Sequence, residues 1–177
     1  MSAEALRYPI GPFDLDRPVT AEDLAGAIAG LAALPDRLRD SVRGLSDEQL
    51  DTPYRPGGWC PRQIVHHLAD SHLNGYTRIK LALTEETPTV KPYLEALWAE
   101  LADSRLPVAA SLGILDGVHA RWVALLRGLG PAELARTFHH PERGRLVRLD
   151  TQAAHYDWHG RHHTAHILGL RQRMGWR

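Results

Sequence analysis

Hydrophobic residues recur at three- and four-residue steps in three long stretches of the chain, which is the period of an α-helix. These stretches run from Thr20 to Gly44, from Trp59 to about Thr84 and from Val108 to Leu129. The third is the most regular, and the one polar residue in its apolar stripe is His119, at the midpoint. Amphipathic helices of this length predict an all-α, bundle-like fold.

Local signals mark where these helices begin and bend. Thr20 with Asp23, and Ser46 with Gln49, have the residue types and the spacing of capping boxes, which open helices. Pro35 lies inside the first helix and predicts a kink there, because a proline removes one backbone hydrogen bond.

The segments between the helices contain more helix breakers. Residues 84–107 are rich in Thr and Pro, with a short helical patch at 94–101, and a connection of this length lets the helices that it joins run parallel. Residues 137–149 contain a turn signal, which predicts a small hairpin with His139 and His140 exposed in its loop. Residues 1–19 hold several prolines and glycines and are predicted to form a leader across the surface of the domain or of a neighbouring subunit.

A fourth helix is predicted from Asp150 to Met174, with Asp150 as its cap and Gly175 at its end. It carries five of the eleven histidines of the chain. At about 100° per residue they fall in one stripe, on the face that should be buried. They are His155, His159, His162, His163 and His166.

A buried stripe of imidazoles needs partners, because both ring nitrogens must be satisfied. Histidines four residues apart on a helix can direct two nitrogens at one divalent transition metal ion, and three pairs in this stripe have that spacing. The alternative is a set of core histidines hydrogen-bonded to carboxylates, water or backbone carbonyls. A third ligand must come from another helix, where His67, His72 and His119 are the candidates, and periodicity alone favours His72.

Composition narrows the functional classes. The 177 residues fit one domain, spanning 1–177, and 21 basic residues balance 21 acidic ones, so there is no electrostatic reason to bind nucleic acid. The chain holds no run of apolar residues long enough for a membrane span and no signal-peptide layout at its start, which predicts a cytoplasmic protein without a membrane partner. The lone Cys60 forms no internal disulfide and is interpreted as a core thiol.

Two motifs are close to those of a known family. The segment WCPRQIVHH, from Trp59 to His67, joined to HGRHH, from His159 to His163, resembles the DinB-like superfamily. The similarity is greatest to its YfiT-like branch and extends over nearly the whole chain. The further matching segments are YPIG at 8–11, LDTPYR at 50–55, GGW at 57–59, HHLADSH at 66–72, LTEETP at 83–88 and RMGW at 173–176.

The resemblance implies a four-helix bundle in up-down-down-up order, one zinc or nickel ion and a homodimer. Carried over residue by residue, the metal ligands are His67, His159 and His163. The remaining candidates for pocket or supporting positions are His162, His166, His119, His72, Asp70 and Tyr156.

Three functions are compatible with these features. Members of the YfiT-like branch are described as metal-dependent hydrolases, which implies a small-molecule substrate and a water activated at an open three-histidine site. The branch also includes a bacillithiol S-transferase, so the alternative is a transferase in which a low-molecular-weight thiol attacks an electrophile. A second alternative is a metal-binding dimer without catalytic activity. The sequence singles out no general base, and the nucleophile is the water or the thiol.

Overall fold

The computed structural model describes residues 2–176. Eight α-helices and two strands are present in this part of the chain. The helices are α1 Ala3–Arg7, α2 Ala21–Val42, α3 Asp47–Leu50, α4 Pro61–Thr84, α5 Glu95–Trp98, α6 Ala109–Arg127, α7 Pro131–Leu134 and α8 Leu149–Met174. The strands are β1 Thr137–His140 and β2 Arg145–Arg148, and short 3-10 turns span Ala102–Arg105 and Pro141–Arg143.

The four long helices α2, α4, α6 and α8 form the bundle. Helix α2 packs against α8 and α6, and α4 packs against the same two helices from the opposite corner. Arg171 donates to the carbonyl of Ser41, and Gly160 lies against Leu34 nearer the helix starts, so α2 and α8 run parallel.

The other helix pairs define the remaining directions. His66 of α4 contacts Ser111 of α6, and His72 contacts His119 further along both helices, so α4 and α6 also run parallel. Gly75 of α4 lies against Tyr156 of α8, whereas His67, earlier in α4, lies against His163, later in α8, so these helices are antiparallel. The bundle therefore has the up-down-down-up order that the resemblance implied.

Local sequence signals locate most helix ends correctly. Both capping boxes form, with Thr20 and Asp23 at the start of α2 and Ser46 and Gln49 at the start of α3. Gly175 ends α8 with a left-handed φ of 67°.

The predicted cap of the last helix is wrong. Helix α8 begins at Leu149, and Arg148 occupies the cap position without a side-chain cap hydrogen bond. Asp150 lies inside the first turn, where its carboxylate accepts hydrogen bonds from Arg148 and from the backbone N–H of Thr151. The carboxylate is held there by a neighbouring cation, which the capping pattern alone did not reveal.

The long crossover and the hairpin are joined to each other. Strands β1 and β2 pair in antiparallel register, with Thr137 opposite Arg148. The turn between them closes at Gly144, whose φ is 60°. His139 exchanges backbone hydrogen bonds with the crossover, donating to Pro88 and accepting from Val90. The predicted hairpin is confirmed, and it anchors the crossover to one end of the bundle.

The N-terminal segment lies along α8. The indole N–H of Trp158 donates to the carbonyl of Gly11 at 3.1 Å, and His166 Nε2 donates to the carbonyl of Arg7 at 3.1 Å. The segment begins with the five-residue helix α1, which the density of proline and glycine had argued against.

The apolar core is divided into two clusters along the bundle axis. One contains Trp122 and Phe138, and the other contains Leu38, Ile64 and Leu115. Helix α6 contributes to both, and of the described helices it alone is long and apolar enough, by length and composition, to cross a membrane. Buried histidines of α4, α6 and α8 lie between the two clusters, so a polar layer crosses the middle of the bundle.

Close packing of α4 on α8 depends on a glycine. A Cβ on Gly75 would overlap the ring of Tyr156, which is itself packed on Trp122 and His72. Gly75→Ala is therefore expected to destabilise the protein by ~1–3 kcal/mol, the usual cost of overpacking a core. Gly113→Ala is the matched control, because that α6 glycine has no neighbour within 4 Å and the change should stabilise by about 0.5–1 kcal/mol. Urea unfolding of both variants measures the difference, and equal stabilities would contradict this account of the contact.

Candidate metal centre

Three histidines from two helices meet at the middle of the bundle. His67 comes from α4, and His159 and His163 come from successive turns of α8. One ring nitrogen from each lies within 4.8 Å of the others. His67 Nε2 and His159 Nε2 are 3.2 Å apart.

This geometry fits a divalent ion. Two nitrogens that each lie 2.0–2.1 Å from a tetrahedral zinc ion are roughly 3.3 Å apart, close to the separation of the two Nε2 atoms. His163 Nδ1 is buried and has no hydrogen-bond partner in residues 2–176, so this imidazole is not satisfied by the protein alone. The residues present therefore suit a metal ion.

Burial keeps these imidazoles neutral, which is the form that binds metals. Burial lowers the pKa of His67 to about 4. Burial also lowers the pKa values of His159 and His163 well below the ordinary value, and the neighbouring histidines lower them further. Each of these imidazoles therefore carries a single proton at neutral pH, which leaves one ring nitrogen free to bind an ion.

A chain of hydrogen bonds runs from His159 away from the cluster and through the core. His159 Nδ1 lies 3.2 Å from His72 Nε2, and His72 Nδ1 lies 3.0 Å from His119 Nε2. His119 Nδ1 lies 2.6 Å from the carbonyl oxygen of Leu31. We call these three histidines and this carbonyl the relay.

The relay determines which nitrogen of His159 carries a proton. A carbonyl oxygen only accepts, so His119 Nδ1 must donate to Leu31, which leaves the Nε2 of the neutral His119 as an acceptor. His72 Nδ1 therefore donates to His119, and its own Nε2 accepts from His159 Nδ1. The lone pair of His159 is then on Nε2, the atom that faces His67.

The hydrogen bonds of the relay show what His72 of α4 and His119 of α6 do. His72 is fully buried, as periodicity indicated, but it supports His159 from behind. His119 is a satisfied core histidine that does not line the cavity beside the cluster. The residue that joins the two α8 histidines is His67, whose ring packs against Trp59 with centroids 4.6 Å apart.

The cluster opens into a cavity of about 640 Å³, within the usual size range of small-molecule sites. His67, His159 and His163 all line it. Of the other candidates, His162, His166 and Tyr156 also line it. His166 stacks on Tyr54 with ring centroids 4.0 Å apart.

The remaining candidate, Asp70, lies outside the cavity lining, as do His66 and Asp157. Burial raises the pKa of Asp70, with a further contribution from Asp103. His66 faces α6, where it bonds to Ser111 and to the carbonyl of Leu106. Asp157 pairs with Arg161.

The hairpin contributes residues that the sequence did not single out. His140, predicted to be exposed, is 5% exposed and lines the cavity, because β1 folds back against the bundle. Arg143 of the turn and Arg78 of α4 line the same cavity. Nothing in the local sequence marks either arginine as a cavity residue.

Comparisons with known proteins agree with this fold. A family model described as the DinB superfamily matches residues 30–167. Relatives from Bacillus cereus strain B4264 and Bacillus mycoides strain KBAB4, both provisionally named metal-dependent hydrolases, are 54% and 53% identical over 171 residues, which cover 97% of this chain and 98% of each relative.

Two solved structures are similar as well. YfiT from Bacillus subtilis, provisionally described as a metal-dependent hydrolase with an unusual four-helix bundle topology, has a TM-score of 0.94 and 46% identity, and the match covers 98% of this chain and 99% of that one. A mycothiol-dependent maleylpyruvate isomerase has a TM-score of 0.65 and 16% identity, over 86% of this chain and 61% of that one, which shows a shared fold.

The neutral imidazoles should make the metal-free protein sensitive to acid. Burial lowers the pKa of His67 to about 4 and that of His155 to about 3, against roughly 6.5 in an unfolded chain. Between these values the unfolded chain binds more protons, so stability is complete above about pH 6.5 and falls as the pH drops. We expect a loss of more than ~1.4 kcal/mol per pH unit, the slope for one such residue. Urea unfolding from about pH 7 to about pH 5 measures it, and a flat profile would contradict the assigned protonation states.

Proposed function

The chain belongs to the DinB superfamily, and from this membership we propose that it is a metal-dependent hydrolase whose ion is held by His67, His159 and His163. The observation that carries the proposal is the 3.2 Å approach of two Nε2 atoms, one of which the relay leaves unprotonated. A divalent ion held by three imidazoles, with one position open, lowers the pKa of a bound water to about 7 and supplies hydroxide at neutral pH.

The residues of the chain have separate tasks in this proposal. His72 and His119 orient His159 and keep its proton on Nδ1, so that Nε2 stays available to the ion. Trp59 packs against the ring of His67, and both line the cavity that admits the substrate. Zinc is the proposed ion, with nickel as the alternative, since neutral imidazoles suit both. We further propose a homodimer that acts in the cytoplasm.

A thiol transferase is the second candidate. It uses the same three histidines, with the thiol of a small cofactor in place of water. The cavity of about 640 Å³ favours keeping this candidate, because it has room for a cofactor beside a small electrophile.

Loss of one proposed ligand tests the site. His163→Ala should sharply reduce bound zinc, measured by elemental analysis, and should abolish turnover while helical content by circular dichroism is kept. His66→Ala is the matched control, because it removes a histidine of α4 that faces Ser111 and not the cluster. Full zinc occupancy in His163→Ala would refute the ligand assignment.

Activity assays of the zinc-loaded wild type separate the reaction classes. Zinc-loaded wild type is assayed with activated esters and with alkylating electrophiles, each with and without low-molecular-weight thiols. Cleavage without thiol supports the hydrolase, and loss of electrophile only with thiol supports the transferase. Zinc binding with neither activity would indicate the metal-binding protein without catalysis.

The relay generates a prediction of its own. His119→Phe leaves the donor His72 Nδ1 without its acceptor and frees His159 to change tautomer, so zinc affinity should fall roughly 10–100-fold, as for other partners of metal-binding histidines. His66→Phe also removes a buried imidazole with two hydrogen bonds, but one that does not reach the cluster. Competition with a zinc chelator compares the two, and equal affinities would show that the relay does not position His159.

A further inference from the structure

Two arginines, Arg78 and Arg143, line the cavity away from the histidine cluster. Arg78 follows His67 by eleven residues on α4, which is about three helical turns, so both face the same side roughly 16 Å apart along the axis. Arg143 reaches the cavity from the hairpin turn. The two arginines and the cluster therefore lie on the walls of one cavity.

Neither guanidinium forms a salt bridge within residues 2–176. Arg78 is 8% exposed, and its one side-chain hydrogen bond is a 3.3 Å contact to the carbonyl of Lys91. Arg143 is half-buried, and within the same part of the chain its side chain makes neither a hydrogen bond nor a salt bridge. Seven other arginines do form salt bridges with carboxylates, namely Arg17, Arg39, Arg43, Arg62, Arg145, Arg148 and Arg161.

The charges of the two arginines act on one region of the cavity. Burial, and then Arg143 and Arg78, lower the pKa of His155 to about 3. Burial, and then the same two arginines, lower the pKa of His140 to about 4. Both histidines are thus neutral. Two acidic residues of the described lining, Glu95 and Glu142, are exposed, and neither forms a salt bridge with Arg78 or Arg143 in residues 2–176.

We propose that Arg78 and Arg143 bind an anionic group of the substrate, a carboxylate or a phosphate, while the reacting group lies at His67, His159 and His163. This inference rests on the proposed function, which it extends by naming the substrate class. A buried guanidinium without a counter-ion is costly, and a planar fork of N–H donors matches both kinds of anion. The substrate is thus an elongated molecule with a charged end and a reactive end.

Anion binding by the metal-free protein tests the site without the ion. Inorganic phosphate and acetate are titrated separately into full-length, metal-free protein by calorimetry. Arg143→Gln should weaken binding of the preferred anion about tenfold or more, the effect of losing one charged hydrogen-bond donor. The position is half-buried in a hairpin turn, so this variant should keep its fold, which thermal unfolding verifies.

Two further variants make the result specific. Arg78→Lys keeps the positive charge but loses the planar set of guanidinium N–H donors, so it should weaken binding of the same anion. Arg55→Gln is the matched control, because Arg55 lines the same cavity with its guanidinium already bonded to Tyr54 and Pro56. Its anion affinity should stay within about twofold of wild type. Equal affinities in wild type and Arg143→Gln, or no binding of either anion to wild type, would overturn the proposal.

Turnover separates this inference from the function on which it rests. Zinc-loaded wild type should cleave mono-4-nitrophenyl sebacate, whose carboxylate lies far enough from the ester to reach the arginines, with a lower KM than 4-nitrophenyl decanoate, a neutral ester of the same chain length. Arg143→Gln should remove most of the difference. Zinc content in Arg143→Gln should equal that of wild type. Cleavage of both esters with equal KM would refute the anion site and leave the hydrolase proposal standing. Intact anion binding without cleavage of either ester would refute the hydrolase proposal and leave the anion site standing.

Discussion

The constraint on which this structure depends is that a buried imidazole must have both of its nitrogens satisfied. Three histidines in the middle of the bundle satisfy one another in sequence, and the series ends at the Leu31 carbonyl. All four long helices take part: α2 supplies the carbonyl, α6 supplies His119, α4 supplies His72, and α8 supplies His159. The up-down-down-up order brings these positions to one level, so the fold and the protonation state of His159 are parts of a single arrangement.

The polar layer has a cost that the rest of the core must offset. Apolar clusters lie on both sides of it, and the close approaches at Gly75 and Gly160 let the helices pack tightly around it. Buried nitrogens remain without protein partners at His155, His162, His163 and His166, all of which line the cavity. The imidazoles on the core side of the layer, His72 and His119, therefore have both nitrogens bonded, whereas imidazoles on the cavity side do not, and the cavity is where a ligand has access.

Most of the fold could be predicted from the sequence because its signals are local. The capping boxes, the helical periods and the turn at Gly144 each depend on a few neighbouring residues. The site was harder, because periodicity identifies which histidine faces the core but not which one faces a cavity. It therefore favoured His72, the supporting residue, and only the resemblance indicated His67. His140 and Arg143 were missed because their position depends on how the hairpin folds against the bundle.

The relay carries no charged group, and this affects which ligands the cavity favours. Metal-bound histidines are often supported by a carboxylate, which adds a negative charge close to the ion. Here the support is two neutral imidazoles and a backbone carbonyl, and no carboxylate joins the three-histidine cluster in residues 2–176. A divalent ion bound by these neutral ligands would leave the site with a net positive charge, and Arg78 and Arg143 add two more charges to the walls of the same cavity. Because low-dielectric walls screen such charges poorly, the cavity as a whole favours an anion over a neutral molecule of the same shape.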